Sequence, residues 1–377
     1  MKKKDSILIY SILLLLPTYL VNFQFGAISL NLLDVIILIN FSIFLFRFRN
    51  NIQLGNWKYL MGLFLILGAT AALISPNLLS AIGIYKSYIL EPVLVGIMIL
   101  TLKPPFHKII YALSSLALFI MIIGLFQYIS GYGIPAPWNV RGDGFRITSI
   151  YPYPNAVGLI IAPILAMLTA WLIHIKNHRQ IFIYLVLFGF AILLFARADG
   201  AIVALLAAMI VSMLYTRWRW IAIVSFLIVL ALGFLWQPTR EILLFQDTSG
   251  EVRLAIWEGT FNLLKDHPIV GAGLAGFPDA YQNYKLDRHV ELLLYPHNIF
   301  LNFWVELGIA GLIWLLFALV TFLKNIITSK SNQKIILLAG MTAIIVYGLV
   351  DVPYFKNDLA IIFWTLLTMS SVIAEKK

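Results

Sequence analysis

No cysteine occurs in the 377 residues, which excludes disulfides and thiolate metal sites. Charge is scarce as well: Asp, Glu, Lys and Arg make up only 12% of the chain. A soluble protein of this length needs far more polar surface than that. Motifs for metal or nucleotide chemistry are also missing, with no His-Glu-x-x-His, no Asp-x-Asp and no Walker-type Gly-Lys-Ser/Thr. Metal dependence and direct nucleotide use have no support, so no metal site and no cofactor are expected.

What fills the chain instead is apolar, 61% of all residues. Apolar runs of about 20 residues recur along its length, the mark of helices that cross a bilayer. The expected fold is an all-α polytopic membrane protein, one membrane domain over residues 1–377. About twelve spans are predicted, at 6–22, 28–46, 57–75, 80–102, 107–130, 155–174, 181–196, 199–216, 219–237, 298–323, 335–350 and 358–374. Lys2, Lys3 and Lys4 before an apolar run resemble a signal peptide, but no small-residue cleavage site follows cleanly, so the run is read as an uncleaved first helix.

The net charge of +10 invites a nucleic-acid reading, which the positions of the basic residues oppose. With the N-terminus inside, the inner segments hold 17 of the 27 Lys and Arg residues. The outer segments apart from 238–297 hold only Arg141, Arg146, Arg197 and Lys356, with Lys86 in or beside span four. Both termini are thus expected in the cytoplasm, and the positive charge is mostly topology. Two outer segments are long. Residues 131–154 are rich in Gly and Pro, so their backbone should be irregular. Residues 238–297 form a large outer loop between spans nine and ten, with five basic residues against eight acidic ones. Within it, 250–266 has a helical pattern ended by His267-Pro268, with Arg253 and Trp257 on one face.

The most informative stretch is 295–314. Pro296 stops what precedes it, and Asn298 is placed to cap the next helix. Asn298, Asn302 and Glu306 recur at i, i+4 and i+8 and so form a polar stripe. Glu306 would lie roughly 12 Å below His297. A carboxylate at that depth is a functional candidate by default. His297 is either a simple helix-end histidine or a group that takes a proton near neutral pH; His289 is a weaker competitor on a more charged segment. Arg197 sits between two apolar runs, and two readings stand for it: an interfacial arginine paired with Asp199, or a fork that clamps phosphate oxygens. Arg146 and Arg253 lie on the same outer face, singly as loop charges or together with Arg197 around a lipid diphosphate. Lys86 and Glu91 read first as an internal ion pair, with a polar wall of a lipid or sugar path as the alternative, and Asp34 reads as structural. Gly271-Ala-Gly273-Leu-Ala-Gly276 matches Gly-x-Gly-x-x-Gly but lacks the strand–turn–helix setting of a dinucleotide site, so its glycines are expected to make a tight turn near the membrane.

In order, the chain offers Arg146 then Pro154-Asn155, Arg197-Ala-Asp-Gly, Arg253-x-x-x-Trp257, His267-Pro-Ile-Val-Gly271-Ala-Gly273-x-x-x-Phe277 and His297-Asn298-x-x-Leu301-x-x-x-x-Glu306-Leu-Gly308-x-x-Gly311. This resembles the O-antigen ligase family, which also takes in polysaccharide polymerases and protein O-glycosylating ligases. The resemblance covers roughly residues 140–320 by motif. It implies a twelve-helix, GT-C-like fold with a large periplasmic loop, in a bacterial cytoplasmic membrane. It implies a glycosyltransferase that moves a glycan from undecaprenyl diphosphate to an acceptor hydroxyl, on lipid A core, a protein or another glycan, without metal or nucleotide. Residues that look like Arg197 and Arg253 hold the diphosphate in the family, and the counterpart of His297 lies beside the reacting centre. Arg146 is taken with those two, and Asn298, Asn302 and Glu306 as supporting groups. One departure is Ala196, where the family often has Ser before the arginine. A polymerase of the same superfamily is the nearest alternative, but no arginine here has Gly eleven residues on, the spacing seen in some polymerases. A lipid-glycan transporter is the alternative from another class; it would call for inverted repeats and midplane charges, and neither is visible.

Overall fold

The computed structural model describes residues 2–25, 28–140, 145–175, 177–286 and 294–375. Arg141 and His289 fall outside the described residues. The chain opens with the short helices α1 (Lys2–Asp5) and α2 (Ile7–Leu14), a 3-10 turn over Leu16–Leu20, and a hairpin of β1 (Asn22–Phe25) and β2 (Ile28–Asn31). There follow α3 (Leu32–Phe48), α4 (Trp57–Leu73), α5 (Leu78–Ile84), a π-helical turn over Tyr85–Leu90, α6 (Glu91–Leu102) and α7 (Phe106–Ser130). Next come α8 (Pro154–His174), α9 (Arg179–Ala196), α10 (Asp199–Leu214) and α11 (Arg219–Leu235). The long loop carries α12 (Gln237–Leu243), α13 (Thr248–Asp266) and α14 (Phe277–Tyr281), and the chain ends in α15 (Ile299–Thr328), α16 (Gln333–Tyr347) and α17 (Asn357–Ala374).

Among the described residues six helices are long and apolar enough to cross a membrane, or seven if α11 and the helix after it, bent by 108°, count as one span. The helices α4, α10 and α16 are apolar but shorter. The protein is therefore a polytopic, overwhelmingly helical membrane protein. The first two expected spans differ from the expectation. Pro17 has no N–H to continue the helix, so α2 stops at Leu14 and a 3-10 turn takes over. The second span begins as a strand, and α3 starts only at Leu32. Its start is fixed by a capping box: Asn31 Oδ1 accepts from Asp34 N at 2.9 Å, and Asp34 Oδ2 accepts from Asn31 N at 2.8 Å.

Burial sorts the helices into inner and outer. Nearly every residue of α8 and α17 is buried, whereas α11 buries only Ala222. Small residues make the inner packing possible, as expected where lipid gives helices no hydrophobic reason to associate. A Cβ on Gly158 would sit 2.8 Å from Ala201 Cβ, and one on Gly340 would sit 2.8 Å from Met167 Cγ. Aromatic rings fill the space between α4, α15 and α17, with Phe64 stacked on Trp314 at 3.9 Å between centroids. Lys86 pairs with Asp34, and its ammonium also donates to the carbonyl of Ser29 at 3.3 Å. The expected Lys86–Glu91 pair is therefore corrected. The carboxylate that caps α3, Asp34, reaches Lys86 from a different helix and is its ion-pair partner in place of Glu91.

Candidate functional site

Pro296 and a left-handed His297 (φ 48°) turn the chain into α15. Asn298 caps that helix as expected, its Oδ1 accepting from Phe300 N at 3.0 Å and Leu301 N at 3.1 Å. The same side chain donates to the carbonyl of Leu349 at 3.0 Å, and Ile299 N donates to Gly348 at 2.7 Å. The loop between α16 and α17 is thereby fastened to the His297 turn. From the other side, Trp257 Nε1 donates to the carbonyl of Pro296 at 2.9 Å. Arg253 Nε, one turn earlier on α13, donates to the carbonyl of Val350 at 2.9 Å. The shared face of Arg253 and Trp257 thus docks the long loop onto both segments.

That loop brings Asp351 to the histidine. His297 Nδ1 lies 3.3 Å from Asp351 Oδ1, within ion-pairing range but off the line of a hydrogen bond. Asp351 is 1% exposed, and its Oδ1 also accepts from Val352 N at 2.8 Å. Burial alone would push this carboxyl up; His297, the Val352 N–H and Arg253 outweigh it and hold the group below the ordinary carboxylate value. Tyr295 packs its ring 4.7 Å from the imidazole, and its hydroxyl donates to the Tyr153 hydroxyl at 3.3 Å. Lys356 places its ammonium 4.1 Å from the centre of the Tyr153 ring. Burial pushes the Lys356 pKa down, against the pull of Asp358 and Asp351.

The three arginines gather at the same end. Arg253 is bound to the residue before Asp351, as above. Arg146 is tied to the turn between α9 and α10: Nε donates to Ala196 O at 2.9 Å, and Nη2 donates to Arg197 O at 3.0 Å and Asn155 Oδ1 at 2.9 Å. Its guanidinium lies 5.0 Å over the Trp138 ring. Desolvation lowers its pKa, which Asp199 and Tyr347 oppose. Arg197 itself takes a left-handed conformation (φ 48°) and is exposed. All three arginines act on the charge of Asp199, and both Arg146 and Arg253 act on Tyr347. Gly200 lets Tyr347 come close, since a Cβ there would stand 2.7 Å from its ring.

The lower half of the polar stripe differs. Glu306 is 5% exposed, and its Oε2 accepts from Ala275 N at 2.8 Å. Three further bonds lash the 268–275 turn to α15: Ala272 N to Val305 O at 2.7 Å, Ile309 N to Ile269 O at 3.2 Å, and Trp304 Nε1 to Pro268 O at 2.8 Å. Gly308 breaks the helix there with φ 69° and ψ −176°, and a Cβ on it would meet Ile269 O at 2.0 Å. The glycines of 271–276 make a tight turn as expected, with Gly271 and Gly273 at positive φ. Asn302 is 1% exposed, and its Oδ1 has no partner among the described residues.

Residues 182–316 match the family described as O-Antigen ligase. This stretch is similar to the O-antigen ligase family and supports that assignment. The match takes in Arg197, Arg253, His297 and Glu306 and stops before Asp351. A search of curated proteins found no match. The structure adds residues to this site: Asp351 and Tyr295 contact His297, Tyr153 and Lys356 stand behind Tyr295, and none was singled out for the site from sequence. The visible signal was the cluster Asp351, Lys356 and Asp358 in a short loop between two apolar runs. Such charges beside a span are worth suspecting on that ground alone.

Proposed function

We propose that the protein transfers a glycan from a lipid diphosphate, undecaprenyl diphosphate in kind, to an acceptor hydroxyl at the outer face of a bacterial cytoplasmic membrane. The twelve-span, GT-C-like arrangement with both termini inside belongs to the same proposal. The observation that carries it is His297 against a fully buried Asp351, at the end of the helices where Arg146, Arg197 and Arg253 gather.

With Nδ1 turned to Asp351, Nε2 is the nitrogen left to meet substrate. Nε2 takes the acceptor proton as the acceptor oxygen attacks the anomeric carbon. The carbon–oxygen bond to the diphosphate breaks, and the lipid diphosphate leaves with the electron pair. One displacement inverts the anomeric centre. Asp351 orients the ring and offsets the charge it gains, a role that geometry rather than proton transfer performs. Arg197 and Arg253 offset charge growing on the leaving diphosphate. Arg146 holds the Arg197 turn in place and adds its field. Glu306 and Asn302 support the helix below. The acceptor is a sugar or side-chain hydroxyl on lipid A core, a protein or another glycan.

The test is transfer in vitro from a matched undecaprenyl-diphosphate glycan with EDTA present, using wild type, His297→Ala and Arg253→Ala, each checked for folding. Product from wild type only is expected. A single addition supports a ligase, and a product ladder supports a polymerase. Full activity in both variants would sink the site.

A further inference from the structure

A polar cavity stands near the same end of the helices. It has a volume of about 550 Å³, within the range of small-molecule sites, and lies between the 22–31 hairpin and the α5/π-turn segment. Its walls carry amides and hydroxyls: Asn22, Gln24, Ser80, Ser87 and Asn357, with Tyr88 beside them. Asn357 is 6% exposed, lines the cavity, and its Nδ2 has no partner among the described residues. A buried amide donor left in that state is unfavourable, and a ligand acceptor would relieve it. The charge in the wall is neutralised, because Lys86 is paired with Asp34 and bonded to Ser29 O. Neutral amides and hydroxyls without a free cation cluster match sugar hydroxyls better than phosphate.

The cavity is joined to the His297 site by a short run of contacts. Asn357 follows Lys356, whose ammonium covers the Tyr153 ring at 4.1 Å. Tyr153 accepts from Tyr295, and Tyr295 packs on His297 at 4.7 Å. On the other wall, the Tyr88 carbonyl accepts from Tyr354 OH at 2.9 Å, and the Tyr88 and Phe355 rings stand 6.2 Å apart. Both walls thus connect to the loop that carries Asp351.

We infer that this cavity is a carbohydrate subsite, holding sugar units of the donor or acceptor glycan a short distance from the reacting bond. The choice of ligand rests on the transferase reading above. Gly83 offers a clean probe: it lines the cavity, and a Cβ added to it meets nothing within 4 Å. Gly83→Trp introduces a large side chain at the cavity wall from a position where the first added carbon meets no neighbour.

The experiment uses the full-length protein in detergent and saturation-transfer NMR. The probes are oligosaccharide released by mild acid from the host's lipid-linked glycan, and oligosaccharide released from its envelope glycan. Wild type and His297→Ala should both bind at least one probe. Gly83→Trp should lose that binding, and Asn357→Leu should weaken it about tenfold. Transfer kinetics then tell the sources apart. A KM raised about tenfold in Gly83→Trp for a long-chain donor but not for a single-sugar donor assigns the cavity to the donor glycan. A raised KM for the acceptor alone assigns it to the acceptor. No binding by wild type, or undiminished binding by Gly83→Trp, overturns the subsite. Wild type that binds oligosaccharide but transfers nothing keeps the subsite and removes the transferase reading instead.

Discussion

The two ends of the 297–311 segment carry equally polar residues and use them in opposite ways. At the upper end, His297 meets Asp351 off-line, and Asp351 Oδ2 has no partner among the described residues. At the lower end, Glu306 accepts a 2.8 Å bond from a backbone amide, inside a knot of three more bonds to the 268–275 turn. The upper contact leaves polar atoms unpartnered among the described residues, whereas the Glu306 contact is closed and works as a joint. The joint also has a purpose for the site. It fixes the long loop to α15 so that α13 can deliver Arg253 and Trp257 beside His297.

The comparison is sharpest in turnover. His297→Ala should lower transfer about 10²–10⁴-fold while leaving the melting temperature close to wild type. Asp351→Asn should lower it about 100-fold or more, with the fold retained, because the ring loses its orienting charge. Rates are read by product formation and folding by thermal unfolding in detergent. A stable His297→Ala protein with full turnover would erase the distinction between the two ends.

Stability should show the reverse pattern. Gly308→Ala meets both a backbone conformation open essentially to glycine and a carbonyl 2.0 Å away, so a loss of at least about 3 kcal/mol is expected. Glu306→Ala leaves the Ala275 amide unmet and should cost about 1–3 kcal/mol, and Glu306→Gln, which keeps an acceptor, should recover most of it. Surviving Glu306→Gln protein should transfer at close to the wild-type rate. If it is stable but inactive, Glu306 acts in the chemistry after all.

How much of this was legible beforehand follows the same division. The cap at Asn298, the helix over 250–266, the turn in the glycine run and the shared face of Arg253 and Trp257 are local patterns, and local patterns survive folding. The partner of His297 was not legible, because Asp351 stands 54 positions later and is brought near only by the packing of α15 on the α16–α17 loop. Lys86 was paired with its sequence neighbour Glu91, while the fold supplies Asp34 from another helix. The N-terminal apolar run looked like one span, and Pro17 divides it. Pairings across helices and breaks at a single residue are what apolar run lengths cannot encode.

The arginines carry the comparison to a smaller scale. Arg146 has two of its nitrogens on the backbone of residues 196–197 and on Asn155, whereas Arg253 has one on Val350. Arg146→Lys should therefore act mainly through the fold, costing about 1–3 kcal/mol through the lost carbonyl bonds. Arg253→Lys should act mainly on donor binding, raising the donor KM with little change in melting temperature. Kinetics and melting curves on both variants decide it, and equal effects from the two would mean that Arg146 also holds the diphosphate.

The smallest effect expected is in pH. Asp351 is buried yet held below the ordinary carboxylate value by His297, the Val352 amide and Arg253, so its ionised form is favoured more strongly in the folded chain than in the unfolded one. A depressed carboxylate stabilises the fold fully above its unfolded value of 3.8 and stops doing so as pH falls through the lower folded value. Wild type should therefore lose melting temperature as pH is taken from about 5 to about 3, and Asp351→Asn should lose less over the same interval. Glu306→Gln serves as the control from the other end of the helix. If Asp351→Asn and wild type fall in parallel, the His297–Asp351 contact contributes nothing to the fold, and its only remaining role is the orientation of the ring during transfer.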